Sequence, residues 1–348
     1  EIARDSNRIR AAIQGVWNRQ AYRAMRLLLT DCDKATTVVH LHVWVKSLSA
    51  SVHRAVFDAG FRTVVTMHDF FMACPNGGFF DYRQNRICQL RPLSAGCLFT
   101  NCDKRSYSQK VWRCIRQAMQ QSTGRIPGGM RHFISISDLS REIMVPFLSR
   151  DARMHRVANP ISVKKREAVS PADNSAFLFV GRLDPEKGPL LFAEAAARTE
   201  VDAVFVGEGV CRGQVQQLLP DAKITGWVKQ EEVRKQMMTA RVLVFPSLWY
   251  ETQGLTVLEA AAVGIPAIVP DSSAAREMVE HNVTGMVFRG GDVTDLCDKI
   301  EAMKDAAIVA RCGQVAYEQY WESPATVDRH VDELERVYQT IISNGGSK

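Results

Sequence analysis

The sequence predicts an α/β protein of two Rossmann-like domains. Their parallel sheets are expected to face each other across a cleft, with the first domain incomplete at its N-terminus. Three observations predict this. From residue 37 onward, short β-branched runs alternate with longer segments of helical period, the pattern of strands joined by crossover helices. The length of 348 residues is about that of two ordinary domains. Asn159-Pro160 and the polar stretch 162–174 interrupt the alternation, as a linker does.

The elements follow in order. Residues 1–29 look helical. Residues 37–45 (TVVHLHVWV) form the first clear strand, 49–59 a helix and 62–68 (RTVVTMH) a second strand. Residues 69–101 show no period and read as a long loop, a kind usually functional or cross-linked. Residues 106–120 form an amphipathic helix and 123–129 a loop. A strand at 133–137 follows, then a helix capped near Ser137 or Asp138 and running to 148. The second half alternates strands at 176–180, 203–206, 223–225, 242–246 and 267–269 with helices at 188–197, 213–219, 231–240 and 254–263. A short strand near 286–288 precedes a helical remainder. The domains expected are 1–160 for an acceptor, 161–325 for a donor, and a C-terminal helix, 326–348, returning to the first.

Composition excludes several classes. With 46% hydrophobic and 24% charged residues the chain is ordinary for a globular protein. No apolar run approaches the ~18 residues of a spanning helix. Residues 1–160 hold 24 Lys/Arg against 11 Asp/Glu, a net of +13; residues 161–348 hold 20 against 27, a net of −7. A basic half suits a polyanion or an anionic membrane surface, and equally a solvated face. No nucleic-acid module accompanies the basic residues. The first ten residues are not a secretion signal. A cytoplasmic setting is expected, the inner face of the membrane being one place within it, with thiols free or metal-bound.

Two segments carry chemistry. In Pro246–Glu259 (PSLWYETQGLTVLE) a strand ends, a loop presents Glu251 and a helix starts at Gly254. The first helical amides, at Gly254, Leu255 and Thr256, lack intrahelical acceptors and suit an anion. Glu259, about one turn on, suits a vicinal diol such as a ribose, because a carboxylate accepts two hydroxyl protons. Glu251 could hold hydroxyls of a second sugar. In Gly181–Gly188 (GRLDPEKG), Gly181 allows a tight turn after a strand. Arg182 and Lys187 there could stabilise the charge on a departing diphosphate.

Together with VGEG (206–209), ITGWV (224–228), GLTVLEAAAVGIPAIV (254–269) and NVTGMVF (282–288), these segments resemble the donor domain of retaining glycosyltransferases of family 4, with the GT-B fold. The resemblance covers most of residues 176–290, and Glu-x7-Glu is its hallmark. It implies a nucleotide-sugar donor and transfer with retention to a saccharide or lipid-linked acceptor, in cell-surface polysaccharide assembly. Arg182 and Lys187 would bind the diphosphate, Glu259 the ribose, and Glu251 the transferred sugar. Gly226 to Val228 would line the base pocket. No catalytic metal is implied. His68, in VTMHD, resembles the strand-end histidine that faces the donor sugar.

Other features stay open. His40 and His42 alternate onto one face of a strand and read as packed, or as lining an acceptor. Asp31 and Asp33 read as a surface turn rather than a metal pair. Cys74, Cys88, Cys97 and Cys102 could hold structural zinc, although their spacing lacks a Cys-x-x-Cys knuckle. Cys32, Cys114, Cys211, Cys297 and Cys312 read as small buried residues. Helix 106–120 could dock on an anionic membrane, but its apolar stripe is expected in the core. Family members open with a strand and a Gly-rich loop, so this chain is read as truncated, which leaves its own activity open. Gln253 stands where an aromatic or small residue is commoner. A non-catalytic nucleotide-sugar-binding subunit and an epimerase of similar fold are the alternatives.

Overall fold

A computed structural model describes residues 6–46 and 48–343. They fall into two units. One holds the described residues as far as Gln84, then Cys88–Ala158, then those from Asp328 on; the other holds Asn85–Ile87 and Asn159–Val327.

The second unit is built on a six-stranded sheet. Its order is Gly285–Phe288, Ala267–Pro270, Ala240–Val244, Ala176–Val180, Ala203–Val206, Lys223–Ile224, and every pairing is parallel. Alternation along Ala176–Val180 explains why both faces are covered. Phe177 and Phe179 join Phe192, Phe205 and Leu296 in one apolar cluster, while Leu178 joins Leu243, Val257 and Val269 in another. Burial of each such side chain contributes roughly 1.5–3 kcal/mol. The chain enters the sheet at Ala176–Val180, moves to one side for two strands, then returns to the other at Ala240–Val244. The order therefore reverses between these two neighbours, and a ligand site is expected beyond their carboxyl ends.

The first unit holds a four-stranded parallel sheet, ordered Val38–Leu41, Arg62–Met67, His132–Ser135, Arg153–Arg156. The first strand stops at Leu41, short of the expected residue 45; Trp44 and Val45 are buried in a 3-10 turn instead. Arg153–Arg156 (RMHR) went unread because no residue in it is fully buried, as an edge strand permits. Helix Val327–Ser343 lays Val337 and Ile341 against Val64, Ile134 and Val157. Two further helices, Arg8–Val16 and Arg19–Leu28, are capped by the side chains of Asn7 and Asn18. Asp33 accepts from the Ala35 amide and the Thr36 hydroxyl, the surface turn expected. Among the scattered cysteines Cys114, Cys211 and Cys312 are buried, but Cys32 and Cys297 are only half-buried.

Helix Tyr107–Ser122 reverses the expectation for its faces. Its buried residues are Lys110, Cys114, Arg116, Gln117 and Gln120. Val111, Ile115 and Ala118 are exposed. The cause lies in what the helix covers. Much of the segment after Met67 is loop, and loop carbonyls have no ladder to satisfy them. Gln120 Nε2 donates to Phe71 O and Gln117 Nε2 to Met72 O, both at 2.9 Å. Arg116 donates to Pro75 O at 3.0 Å and Arg113 to Asn76 O at 3.3 Å. The polar face therefore turns inward.

We expect Gln117→Leu to destabilise the protein by about 1–3 kcal/mol, because it leaves a buried carbonyl without its donor. Gln121→Leu on the exposed face should change little. Denaturant midpoints of the two variants check this.

Candidate active site

The loops after the two central strands of the second unit enclose a cavity of about 310 Å³, lined by Gly181, Arg182, Lys187, Glu251, Leu255 and Thr256 among others. Backbone meets backbone around it. Gly188 has φ 70°, and a Cβ there would stand 2.0 Å from Pro246 O. A Cβ on Gly209 would stand 2.4 Å from Leu183 O. The Leu248 amide donates to Glu186 O at 3.0 Å. These glycines let the loop after Ala176–Val180 nest against the loops on either side, and its side chains share one cavity with those of the loop after Ala240–Val244.

Glu251 is the hub. Its Oε2 accepts from Lys187 Nζ at 2.6 Å, Trp249 Nε1 at 2.9 Å and Ser247 Oγ at 3.2 Å. Lys187 Nζ also sits 5.2 Å from the centroid of the Trp249 ring. Arg182 pairs with Asp184 and, at 3.2 Å, with Glu186 Oε1. Both cations thus face carboxylates, where the sequence had read them only as diphosphate ligands. Arg182 remains 53% exposed along its side chain, so part of its guanidinium still faces solvent. Thr256 Oγ1 is buried and has no hydrogen-bond partner among the described residues. Helix Leu255–Ala261 begins after Gly254 with no side-chain cap and no acidic residue in its first turn.

Glu259 stands elsewhere. It lines a second cavity, of about 300 Å³, with Ser162, Val163, Val233, Arg234 and Met237. Its Oε1 accepts from Gln230 Nε2 at 2.9 Å. Burial raises its pKa above the ordinary carboxylate value, opposed by the Arg234 charge and the Gln230 hydrogen bond. Arg234 also donates to Ser162 O at 2.5 Å. Gly226 turns at φ 72°, Val228 packs into the apolar cluster and Trp227 is exposed. Gly226 and Val228 are not among the residues lining either cavity. Gln253, unusual in the sequence, exchanges hydrogen bonds with the backbone of Asn159 and so ties the Glu251 loop to the linker. The partners Trp249, Ser247, Asp184, Glu186, Gln230 and Arg234 were not singled out from the sequence. Acidic residues inside GRLDPEKG were the one signal that its cations would be paired.

In the first unit, His68 Nε2 and His42 Nδ1 are 2.9 Å apart. His40 is satisfied by Tyr338 Oη at 2.6 Å and Thr66 Oγ1 at 2.7 Å. Burial first, then neighbouring imidazoles, lowers the pKa of His40 to about 3 and of His68 to about 4. Burial lowers that of His42 as well. All three are neutral at pH 7, able to donate or accept one hydrogen bond per nitrogen.

The sequence offers Cys74, Cys88, Cys97 and Cys102 as ligands of a structural zinc. Among the described residues no group of three or more His, Cys, Asp or Glu is placed to hold a metal. Cys74 Sγ bonds Asn76 Oδ1 at 2.9 Å. Cys97 and Cys102 share the buried Lys110 Nζ, at 3.3 and 3.1 Å. A cation already stands beside these two sulfurs, and Cys88, half-buried, lies within electrostatic reach of both of them and of Lys110.

Parts of this chain are similar to known proteins. Residues 174–305 match the model of the family described as glycosyl transferases group 1. A GDP-mannose-dependent alpha-mannosyltransferase of Mycolicibacterium smegmatis is 38% identical over 123 residues, 35% of this chain and 32% of that enzyme. A phosphatidyl-myo-inositol mannosyltransferase of Mycobacterium leprae is 26% identical over 232 residues, 61% of this chain and 60% of that enzyme. The chain therefore spans between about a third and three fifths of these relatives. Among solved structures, Anabaena Alr3699/HepE in complex with UDP has a TM-score of 0.65 at 16% identity, covering 92% of this chain and 82% of its own. Sucrose-phosphate synthase of Thermosynechococcus elongatus has a TM-score of 0.66 at 17% identity, covering 93% and 77%. The fold is that of the GT-B glycosyltransferases.

The histidines give a pH prediction. Each has a folded pKa below its unfolded value, so the unfolded chain binds protons more readily. Their contribution to stability is complete above about pH 6.5 and is lost as pH falls through about 4 for His68 and toward about 3 for His40. The thermal midpoint should drop over that range, and less steeply in His40→Gln.

Proposed function

We propose that this chain, whose residues 174–305 are a group 1 glycosyl transferase domain within a GT-B fold, transfers a sugar from a nucleotide-sugar donor, retaining its anomeric configuration. One observation carries the reading: Lys187 and Arg182 stand with Glu251 around a single cavity at the point where the strand order reverses. As the bond from the sugar's anomeric carbon to phosphate oxygen breaks, its electron pair stays on the diphosphate. Arg182, Lys187, the amides after Gly254 and the Thr256 hydroxyl are the groups that meet that charge. Glu251 supports the positive charge on the sugar. The acceptor hydroxyl bonds to the same face and gives its proton to the departing phosphate, so no side-chain base is required. Glu259, with Arg234 and the apolar wall of Val233 and Met237, suits the ribose end of the donor. His68, a neutral hydrogen-bonding group, suits a sugar hydroxyl. The acceptor we propose is a saccharide or lipid-linked saccharide used in cell-surface polysaccharide. The relative named for phosphatidyl-myo-inositol supports a lipid-borne acceptor, and the one named for GDP-mannose supports a nucleotide-sugar donor.

Release of nucleoside diphosphate across a panel that includes GDP-mannose and UDP-glucose tests the reading. Glu251→Ala should lower turnover by about a hundredfold or more. The same change frees Lys187 from its carboxylate, so affinity for the nucleoside diphosphate should hold or rise. Glu259→Ala should weaken that affinity by about tenfold, the scale of one hydrogen bond to a charged group. Equal effects of the two substitutions on affinity would refute the assigned roles. Donor binding without release against any acceptor would favour a binding subunit.

A further inference from the structure

The cysteine-rich loop of the first unit holds a buried charge that the transfer site does not use. Lys110, 1% exposed, points its Nζ at two sulfurs, Cys97 Sγ at 3.3 Å and Cys102 Sγ at 3.1 Å. Among the described residues no carboxylate pairs with this ammonium. The buried Asp103, next to Cys102 in the chain, is paired with Arg113 at 2.9 Å instead. An ammonium withdrawn from water needs a counter-charge close by, and here sulfur is the group in contact with it.

The direction of hydrogen bonding sets these sulfurs apart. Cys102 Sγ accepts from Lys110 and, at 3.4 Å, from Asn76 Nδ2. Cys32, Cys74 and Cys297 instead donate, to Leu28 O, Asn76 Oδ1 and Ala195 O. A sulfur that donates is a thiol. One that collects two N–H donors, one of them charged, has the surroundings of a thiolate, the form of cysteine that attacks oxidants. Cys97 and Cys102 are 6% and 3% exposed, but Leu98, Phe99 and Asn101 between them are on the surface. The pair therefore lies one layer down, within reach of an oxidant as small as hydrogen peroxide. Since both sulfurs touch one nitrogen, a second thiol stands beside the first.

We propose that Cys97, Cys102 and Lys110 form a site of reversible oxidation by peroxide. The Cys102 thiolate attacks one peroxide oxygen. A sulfur–oxygen bond forms, the oxygen–oxygen bond breaks, and the departing hydroxide takes up a proton as water. The Cys97 thiol then attacks the sulfenic acid on Cys102. A sulfur–sulfur bond forms, the sulfur–oxygen bond breaks, and the oxygen leaves as water with the Cys97 proton. The two cysteines give up two electrons, and one hydrogen peroxide becomes two waters. Because Lys110 favours the reduced, anionic form, the disulfide is readily reduced again. The proposal is independent of what the chain transfers.

Peptide mapping of the full chain after a stoichiometric amount of hydrogen peroxide tests it. A Cys97–Cys102 disulfide is expected before any modification of Cys32 or Cys297, which are more exposed, and a thiol reductant should reverse it. Lys110→Met should slow its formation by about tenfold or more. Cys97→Ser should leave Cys102 as the reacting sulfur, captured by dimedone as its sulfenic acid. The comparison within the parent protein decides the matter even where a variant fails to fold. Oxidation falling first on Cys32 or Cys297, absence of the Cys97–Cys102 link, or an unchanged rate in Lys110→Met would overturn the proposal. So would loss of all Cys102 reactivity in Cys97→Ser.

Discussion

The ion pair between Lys187 and Glu251 is the constraint on which the site in the second unit depends. It joins the loop after Ala176–Val180 to the loop after Ala240–Val244, at 2.6 Å, with both side chains largely buried. Such a pair adds little net stability, because removing two charges from water offsets most of their attraction. It also leaves each charge in need of further partners. Trp249 and Ser247 supply them for the carboxylate. The nested backbones at Gly188 and Gly209 hold the loops close enough for the pair to form. The arrangement is therefore better understood as placement of charge than as a fastening.

Placement of charge has a chemical consequence. Arg182 and Lys187 face Asp184, Glu186 and Glu251, so the resting cavity is not a bare cationic pocket. A diphosphate entering it must share cations with carboxylates. Arg182 can share, since a guanidinium has five donors and this one is half exposed. Lys187 has three donors on one nitrogen and one carboxylate partner here. Under the proposed reading, the same lysine that neutralises Glu251 would hold it beside the donor's phosphate. In the proposed transfer that geometry would set a negative group close to the carbon whose bond to phosphate breaks.

Much of the second unit was legible because its strands lie in a parallel sheet covered on both faces. Such strands are continuous apolar runs, and AFLFV and ARVLV stand out without any partner. The turns that follow them carry motifs whose residue types limit their chemistry. What stayed illegible depends on contacts far apart in sequence. The separation of Glu251 and Glu259 into two cavities follows from how Gln230 and Arg234 approach the helix, which their spacing in sequence does not encode. Strand Arg153–Arg156 is read only through its neighbour His132–Ser135, since RMHR has no apolar alternation.

The helix Tyr107–Ser122 shows the same limit in a sharper form. Periodicity fixes that its apolar and polar residues lie on different faces, but not which face turns inward. That choice belongs to the surface it covers. Against a sheet, apolar residues win because the ladder has already satisfied the backbone. Against a loop such as Phe71–Asn76, open carbonyls cost more than exposed methyl groups, and glutamine and arginine win. The outward Val111 and Ile115 are then a consequence of an inward demand, and the unit carries an apolar row as a result of ordering its longest loop.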